Sequence, residues 1–311
     1  MPESGQTNIQ SNHDNPQPPD LLTRPSVFRA GRFSFPLGQK TYIMGILNVT
    51  PDSFSDGGKY FSIDESLRHA EVMLRQGADI LDIGGESTKP GCLPVSLVEE
   101  HQRIIPIIEL INRNFACPIS VDTYKPAIAE AALAAGACTI NDINGLQQDT
   151  AMARVAANYQ AGVVVMHNAR LYRSKQIAQQ KSTNIMNDVL AFLTESCRVA
   201  EQAGLSRDQL LLDPGIGFGV SPEESVVMIA ELSRLCELHL PILLGPSRKR
   251  FIGEILNLPA EERLHGTSAA VAIGIAHGAD FVRVHDVREM AEVARVADAL
   301  CRKAGKDRGL A

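Results

Sequence analysis

From Tyr42 onward this chain repeats one rhythm: a short apolar run, a polar or glycine-bearing break, an amphipathic stretch, then the next apolar run. That is the βα repeat, and it restricts the fold more than any other feature. The apolar runs are residues 42–47, 80–83, 119–121, 139–143, 163–166, 210–212, 242–244 and 281–284. Helical patterns separate them at 63–76, 97–112, 126–135, 152–159, 185–203, 222–236, 264–277 and 288–304. The first carries a capping box, Ser62 with Glu65, and stops at Gly77; the sixth opens on Ser221 and Pro222. Eight strands alternating with eight helices predict a closed (β/α)8 TIM barrel. An open doubly wound sheet would place its glycine-rich phosphate loop after the first strand, whereas G-I-G-F-G at 215–219 follows the sixth run.

The flanks read differently. Residues 1–25 are rich in Gln, Asn, Ser, Pro and Asp and are expected to form a disordered tail. Residues 27–38 alternate around Gly31 as a hairpin would, placed here as a cap on the closed end of the barrel. The expected organisation is a tail (1–25), one barrel with its hairpin (26–305) and a short C-terminal tail (306–311). A net charge of -6 argues against a nucleic-acid surface. No apolar run approaches the roughly 20 residues that cross a bilayer, so no membrane partner is expected. Six cysteines without C-x-x-C spacing suit reduced thiols in the cytoplasm.

A barrel of this kind carries its site at the carboxyl ends of the strands. Those ends supply Asn48, then Asp82 followed by G-G-E-S-T-K-P-G, Asp122, Asn141 and Asp142, Met166-His167-Asn168, Asp213, G-P-S-R-K, and Arg283 with His285. Asp122, Asn141 and Asp213 offer acceptors for the N–H edge of a planar heterocycle. Asn48, Thr88, Lys89, Arg283 and His285 lie near strands one, two and eight, which adjoin in a closed barrel, and suit a phosphate. No H-E-x-x-H or His/Cys cluster suggests tight zinc. Magnesium, held by few protein oxygens together with substrate phosphates, fits Asn48 or Asp56. Phe54, among Asp52, Ser53, Ser55 and Asp56, reads as an aromatic on a closing loop, and Phe218 as a second aromatic wall.

The segments N-V-T-P-D-S-F-S-D-G-G (48–58), D-I-G-G-E-S-T-K-P-G (82–91), V-D-T (121–123), N-D-I-N-G (141–145), D-P-G-I-G-F-G (213–219), S-R-K (247–249) and R-V-H-D (283–286) together closely resemble dihydropteroate synthase. The likeness runs in order from about Tyr42 to Leu300. It implies condensation of 6-hydroxymethyl-7,8-dihydropterin diphosphate with 4-aminobenzoate, with Mg2+, in a homodimer that sulfonamides target. By resemblance, Asp122, Asn141, Asp213 and Lys249 hold the pterin beside Met166, and Arg283 covers its ring. Asn48 and His285 hold diphosphate with magnesium, while Phe54, Thr88, Lys89, Pro90, Phe218 and Ser247 belong to the aminobenzoate site and its loops. Asn48, Lys249, Arg283 and His285 are the expected catalytic set. The apolar faces of the last two helices, through Ala269, Val271, Ile273, Ile275, Val293 and Val296, are expected in the barrel or a dimer seam. Three positions depart from the family pattern: Lys89 where Arg is common, Val220 where Lys is common, and M-H-N-A-R at 166–170, so that residues 168–182 are expected to form a loop with its own path. The competing readings are a pterin-binding methyltransferase barrel and a paralogue that binds pterin without turnover.

Overall fold

The computed structural model describes residues 23–49, 63–87, 93–175 and 184–303. Residues 1–22 of the expected N-terminal tail, the C-terminal tail, the Ser62 cap, and Phe54, Asp56, Thr88, Lys89 and Pro90 lie outside these residues; the last three residues of the expected tail are described, and Arg24 pairs with Asp280. The chain opens with an antiparallel hairpin, β1 (Val27–Ala30) and β2 (Phe33–Pro36), paired from Val27↔Pro36 to Ala30↔Phe33. Eight parallel strands follow: β3 (Tyr42–Asn48), β4 (Ile80–Gly84), β5 (Ile119–Asp122), β6 (Thr139–Asp142), β7 (Gly162–Met166), β8 (Leu210–Asp213), β9 (Leu243–Leu244) and β10 (Phe281–Val284). They pair in the order β8-β7-β6-β5-β4-β3-β10-β9, and a parallel bridge between Leu212 and Ile242 joins the two ends.

The crossover helices are α1 (Ile63–Gln76), α2 (Leu97–Asn114), α3 (Pro126–Ala135), α4 (Ala151–Asn158), α6 (Ile185–Gln202), α7 (Pro222–Ala230), α9 (Leu264–Ala276) and α10 (Val287–Asp298). Two short helices, α5 (Ala169–Lys175) and α8 (Arg250–Leu256), were not expected. α5 replaces the first part of the predicted 168–182 loop. It is fixed by one local contact, Asn168 Oδ1 accepting from Arg170 N at 3.1 Å, and by one remote in sequence, Ala169 N donating to Phe218 O at 3.2 Å. The predicted helix 222–236 ends at Ala230 and continues as a 3-10 turn over Leu232–Leu238. Its start is as read: Ser221 Oγ accepts from Glu224 N and Glu224 Oε2 from Ser221 N. The last helix likewise ends early, at Asp298, and passes into a π turn over Ala299–Lys303.

The hairpin plugs one end of the barrel. Phe28, Ala30 and Phe35 form one buried cluster with Tyr42, Met44, Ile80, Val164, Leu211, Leu243 and Phe281. Tyr42 stacks on Phe281 at 4.9 Å between centroids, and Phe28 and Phe35 meet the same ring edge-on; such pairs add about 0.5–1.5 kcal/mol each beyond burial. Strand side chains alternate with period two. The inward positions one step beyond Ile80, Val164, Leu211 and Phe281 are therefore Asp82, Met166, Asp213 and Arg283. An apolar floor at one end thus dictates a charged layer at the other.

Candidate active site

Asp82 is fully buried and Asn141 and Asp213 nearly so. Isolated carboxylates at such depth would be prohibitively desolvated. Arg283 offsets much of this: its Nε donates to Asp82 Oδ2 and its Nη2 to Asp122 Oδ2, both at 2.6 Å. Asn141 Nδ2 donates to the same Asp82 Oδ2 at 3.1 Å. Asp213 Oδ1 accepts from Gly215 N at 2.7 Å. Among the described residues, Asp122 Oδ1, Asn141 Oδ1 and Asp213 Oδ2 take no hydrogen bond. The layer offers a ligand acceptors.

Lys249 provides the second cation, with Nζ 4.2 Å from the Phe218 ring centroid. Burial and the neighbouring Arg283 charge push its ammonium down to about 8, against the pull of Asp213 and Asp122. Burial pushes Asp122 up to about 7 and Asp213 up to about 6, opposed by Arg283 at the first, and by the Gly215 N–H and Lys249 at the second. The loop after β8 brings Phe218 to Lys249 only because its glycines take positive φ. A Cβ on Gly215 (φ +77°) would lie 1.9 Å from His167 O, and one on Gly217 (φ +79°) 3.3 Å from Lys249 Cδ.

Beside this layer, Ser247 Oγ lies 3.0 Å from His285 Nδ1 and accepts from His285 N at 3.2 Å. Partial desolvation among its neighbours, together with the Arg283 and Arg248 charges, holds the His285 imidazole below its ordinary range although the residue is exposed, so it is neutral at pH 7. Arg248, at φ 57°, holds the preceding turn through both oxygens of Asp286 at 2.5 and 3.0 Å. Asn48 ends β3, half-buried, in register with Gly84. Met166 pairs with Asp213 in register. Of the predicted site residues, the structure thus gathers Asp122, Asn141, Met166, Asp213, Phe218, Lys249 and Arg283 at one end of the barrel, with Asn48, Ser247 and His285 on the β3, β9 and β10 side. Arg283, grouped from sequence with the phosphate binders, spends its guanidinium on the carboxylates of β4 and β5. Val220 packs against the hydrophobic core.

Asp82 stands among the strand-end residues named from sequence but has no role assigned there, and the structure places it at the centre of the charged layer. Its signal is a carboxylate inside an otherwise apolar strand, I-L-D-I-G. A second group lies behind the strand ends. Lys125 Nζ donates to Glu86 Oε2 at 2.6 Å, Glu100 Oε2 at 2.5 Å and Val95 O at 2.6 Å. Thr123 Oγ1 donates to Glu100 Oε1 at 2.8 Å and Tyr124 OH to Glu86 Oε1 at 2.9 Å. This network fixes the stretch next to Asp122 against β4 and α2. In N-D-I-N-G, Asp142 accepts from Asn144 N and Leu146 N, so that residue shapes the turn.

Comparison with known proteins agrees with this geometry. The family model described as "Pterin binding enzyme" matches residues 44–285. Dihydropteroate synthase of Bacillus subtilis is 48% identical over 271 residues, 87% of this chain and 92% of that protein. The Clostridium beijerinckii enzyme is 48% identical over 276 residues, 88% and 100%. Dihydropteroate synthase from Xanthomonas albilineans, solved in complex with 7,8-dihydropteroate, superposes with a TM-score of 0.79 at 38% identity, covering 88% of this chain and 98% of that one. On these grounds, and with its acceptor-lined barrel mouth, the chain belongs to the dihydropteroate synthase family of pterin-binding enzymes.

Proposed function

We propose that this chain joins 6-hydroxymethyl-7,8-dihydropterin diphosphate to 4-aminobenzoate, giving 7,8-dihydropteroate and diphosphate. The observation that carries the reading is the buried layer in which Asp122, Asn141 and Asp213 keep acceptors open around Arg283 and Lys249. Such acceptors suit the N–H and NH2 groups of a pterin edge. The arylamine nitrogen forms a bond to the exocyclic carbon as the C–O bond to diphosphate breaks; the electron pair leaves with diphosphate and the amine loses one proton. A weakly basic arylamine needs placement more than deprotonation, so no residue is assigned as general base. Neutral His285, hydrogen-bonded to Ser247, and Asn48 are the groups proposed at the departing diphosphate.

Magnesium is proposed to arrive with the diphosphate. The amide oxygen of Asn48, a hard neutral donor at a strand end, fits an ion that takes few protein ligands, and the ion would supply charge neutralisation to the leaving group. Phe54, Thr88, Lys89 and Pro90 are proposed for the aminobenzoate side. A homodimer through α9, α10 and the π turn that follows is favoured by what they leave outside: Val271 and Ile275 are buried, but Ile273, Val296 and Leu300 are 48, 61 and 70% exposed. Buried free thiols at Cys117, Cys138 and Cys197 suit the cytoplasm, and no helix of the described residues is long and apolar enough to cross a membrane. Sulfonamides, as arylamine analogues, are proposed inhibitors. Incubation with the pterin diphosphate, Mg2+ and labelled aminobenzoate should yield labelled dihydropteroate; pterin binding without product would refute the synthase reading.

A further inference from the structure

We propose that Asp82 is a positioning residue that sets which heterocycle the pocket accepts, by locking the amide of Asn141 in one of its two orientations. The inference rests on the pterin reading above. A carboxylate only accepts hydrogen bonds. Asp82 is fully buried, so whichever end of the Asn141 amide faces it must be the NH2 end; the turned amide would bring two oxygens together with no water to separate them. All the hydrogen bonding of Asp82 within the described residues falls on Oδ2, which takes Asn141 Nδ2 at 3.1 Å and Arg283 Nε at 2.6 Å, while Oδ1 has no partner. Arg283, in turn tied to Asp122 at 2.6 Å, cannot swing away to free that oxygen without breaking two ion pairs. Asn141 Oδ1 is therefore held outward as an acceptor, and with Asp122 and Asp213 it makes the layer read N–H and NH2 groups. An amide free to turn would present a donor at the same point and welcome a ring carrying C=O there. Asp82 discriminates without needing contact with the ligand.

The test compares affinities for 6-hydroxymethylpterin and its 2-oxo counterpart, the corresponding lumazine. Wild type should prefer the pterin. Asp82→Leu, close in shape but without an acceptor, should reduce that preference at least tenfold, whereas Asp82→Asn, whose single amide oxygen can still take both donors, should keep it within a few-fold. A merely structural role would weaken both ligands in parallel and leave the ratio unchanged in Asp82→Leu, which overturns the inference. Should Asp82→Leu fail to fold, hydrogen exchange of the Asn141 side-chain NH2 in the unliganded wild type decides: protection is expected, and exchange as fast as that of an exposed amide overturns it. Wild type that binds neither ring refutes the pterin reading itself, whereas pterin-binding wild type with an unchanged ratio in Asp82→Leu refutes only the role of Asp82.

Discussion

Replacing Lys125 with Met should destabilise the protein strongly and in a pH-dependent way. One ammonium, with its side chain 14% exposed, serves two carboxylates whose side chains are 11% (Glu86) and 1% (Glu100) exposed. Met keeps the stem and removes the charge, leaving, among the described residues, Glu100 with the Thr123 hydroxyl and Glu86 with the Tyr124 hydroxyl and Val95 N–H. Removing one partner of a buried pair costs about 3–5 kcal/mol. With an unfolding entropy near 2.1 cal/mol/K per residue, that lowers Tm by roughly 5–8 °C for a chain of this size. Burial alone would raise the Glu86 carboxyl, but hydrogen bonds from Lys125, Val95 and Tyr124 outweigh it and hold it below its ordinary 4.5. A depressed carboxyl stabilises above the unfolded value and loses that contribution as pH falls through the folded one. The Tm gap between variant and wild type should therefore be widest near pH 7 and narrow below about pH 4.5, where protonation relieves the unpaired carboxylates. Scanning calorimetry from pH 4 to 8 measures it; a gap under 1 °C at pH 7, or one that widens in acid, refutes the reasoning.

Two further substitutions separate binding from folding. Asp213→Asn keeps an acceptor for Gly215 N but loses the second acceptor toward the ligand, so pterin affinity should drop by about 2–3 kcal/mol, measured by calorimetric titration, with little change in Tm. Gly215→Ala places a methyl 1.9 Å from His167 O at a φ that costs an L residue about 1–2 kcal/mol before any clash is counted, so thermal unfolding should show a loss above about 3 kcal/mol.

How much of this was legible in the sequence follows from what each element depends on. The barrel strands are written locally, as buried runs closed by polar residues, and so is the Ser221–Glu224 cap. α5 is not: A-R-L-Y-R-S-K has little periodicity, and its helix is anchored by Phe218 O and by Arg173 donating to Gly219 O at 2.7 Å, the latter partner 46 residues away. The polar strand ends identified where a site must be, but not how its charges pair. Arg283 was assigned by the adjacency of its strand to β3, yet its guanidinium crosses the barrel mouth to Asp82 and Asp122, 201 and 161 residues distant in sequence.

That pairing leaves an imbalance with a measurable consequence. The carboxylates Asp82, Asp122 and Asp213 share the layer with two cations, Arg283 and Lys249, so one negative charge is uncompensated, and burial has pushed Asp122 to about 7 and Asp213 to about 6. A pterin that donates N–H bonds to these oxygens favours their ionised forms. Binding near pH 6.5 should therefore release protons, and affinity should rise from pH 5.5 toward 7.5 as the carboxyls ionise beforehand. Above pH 8 the opposite sign takes over, because Lys249, held down to about 8, loses the charge that faces the same ligand. The result is a bell-shaped dependence of pterin affinity on pH, its basic limb abolished by Lys249→Arg, whose guanidinium stays charged. Titration calorimetry in buffers of different ionisation enthalpy counts the protons; affinity that is flat from pH 5.5 to 9, with heats independent of buffer, would show that the charged layer does not bind the ring.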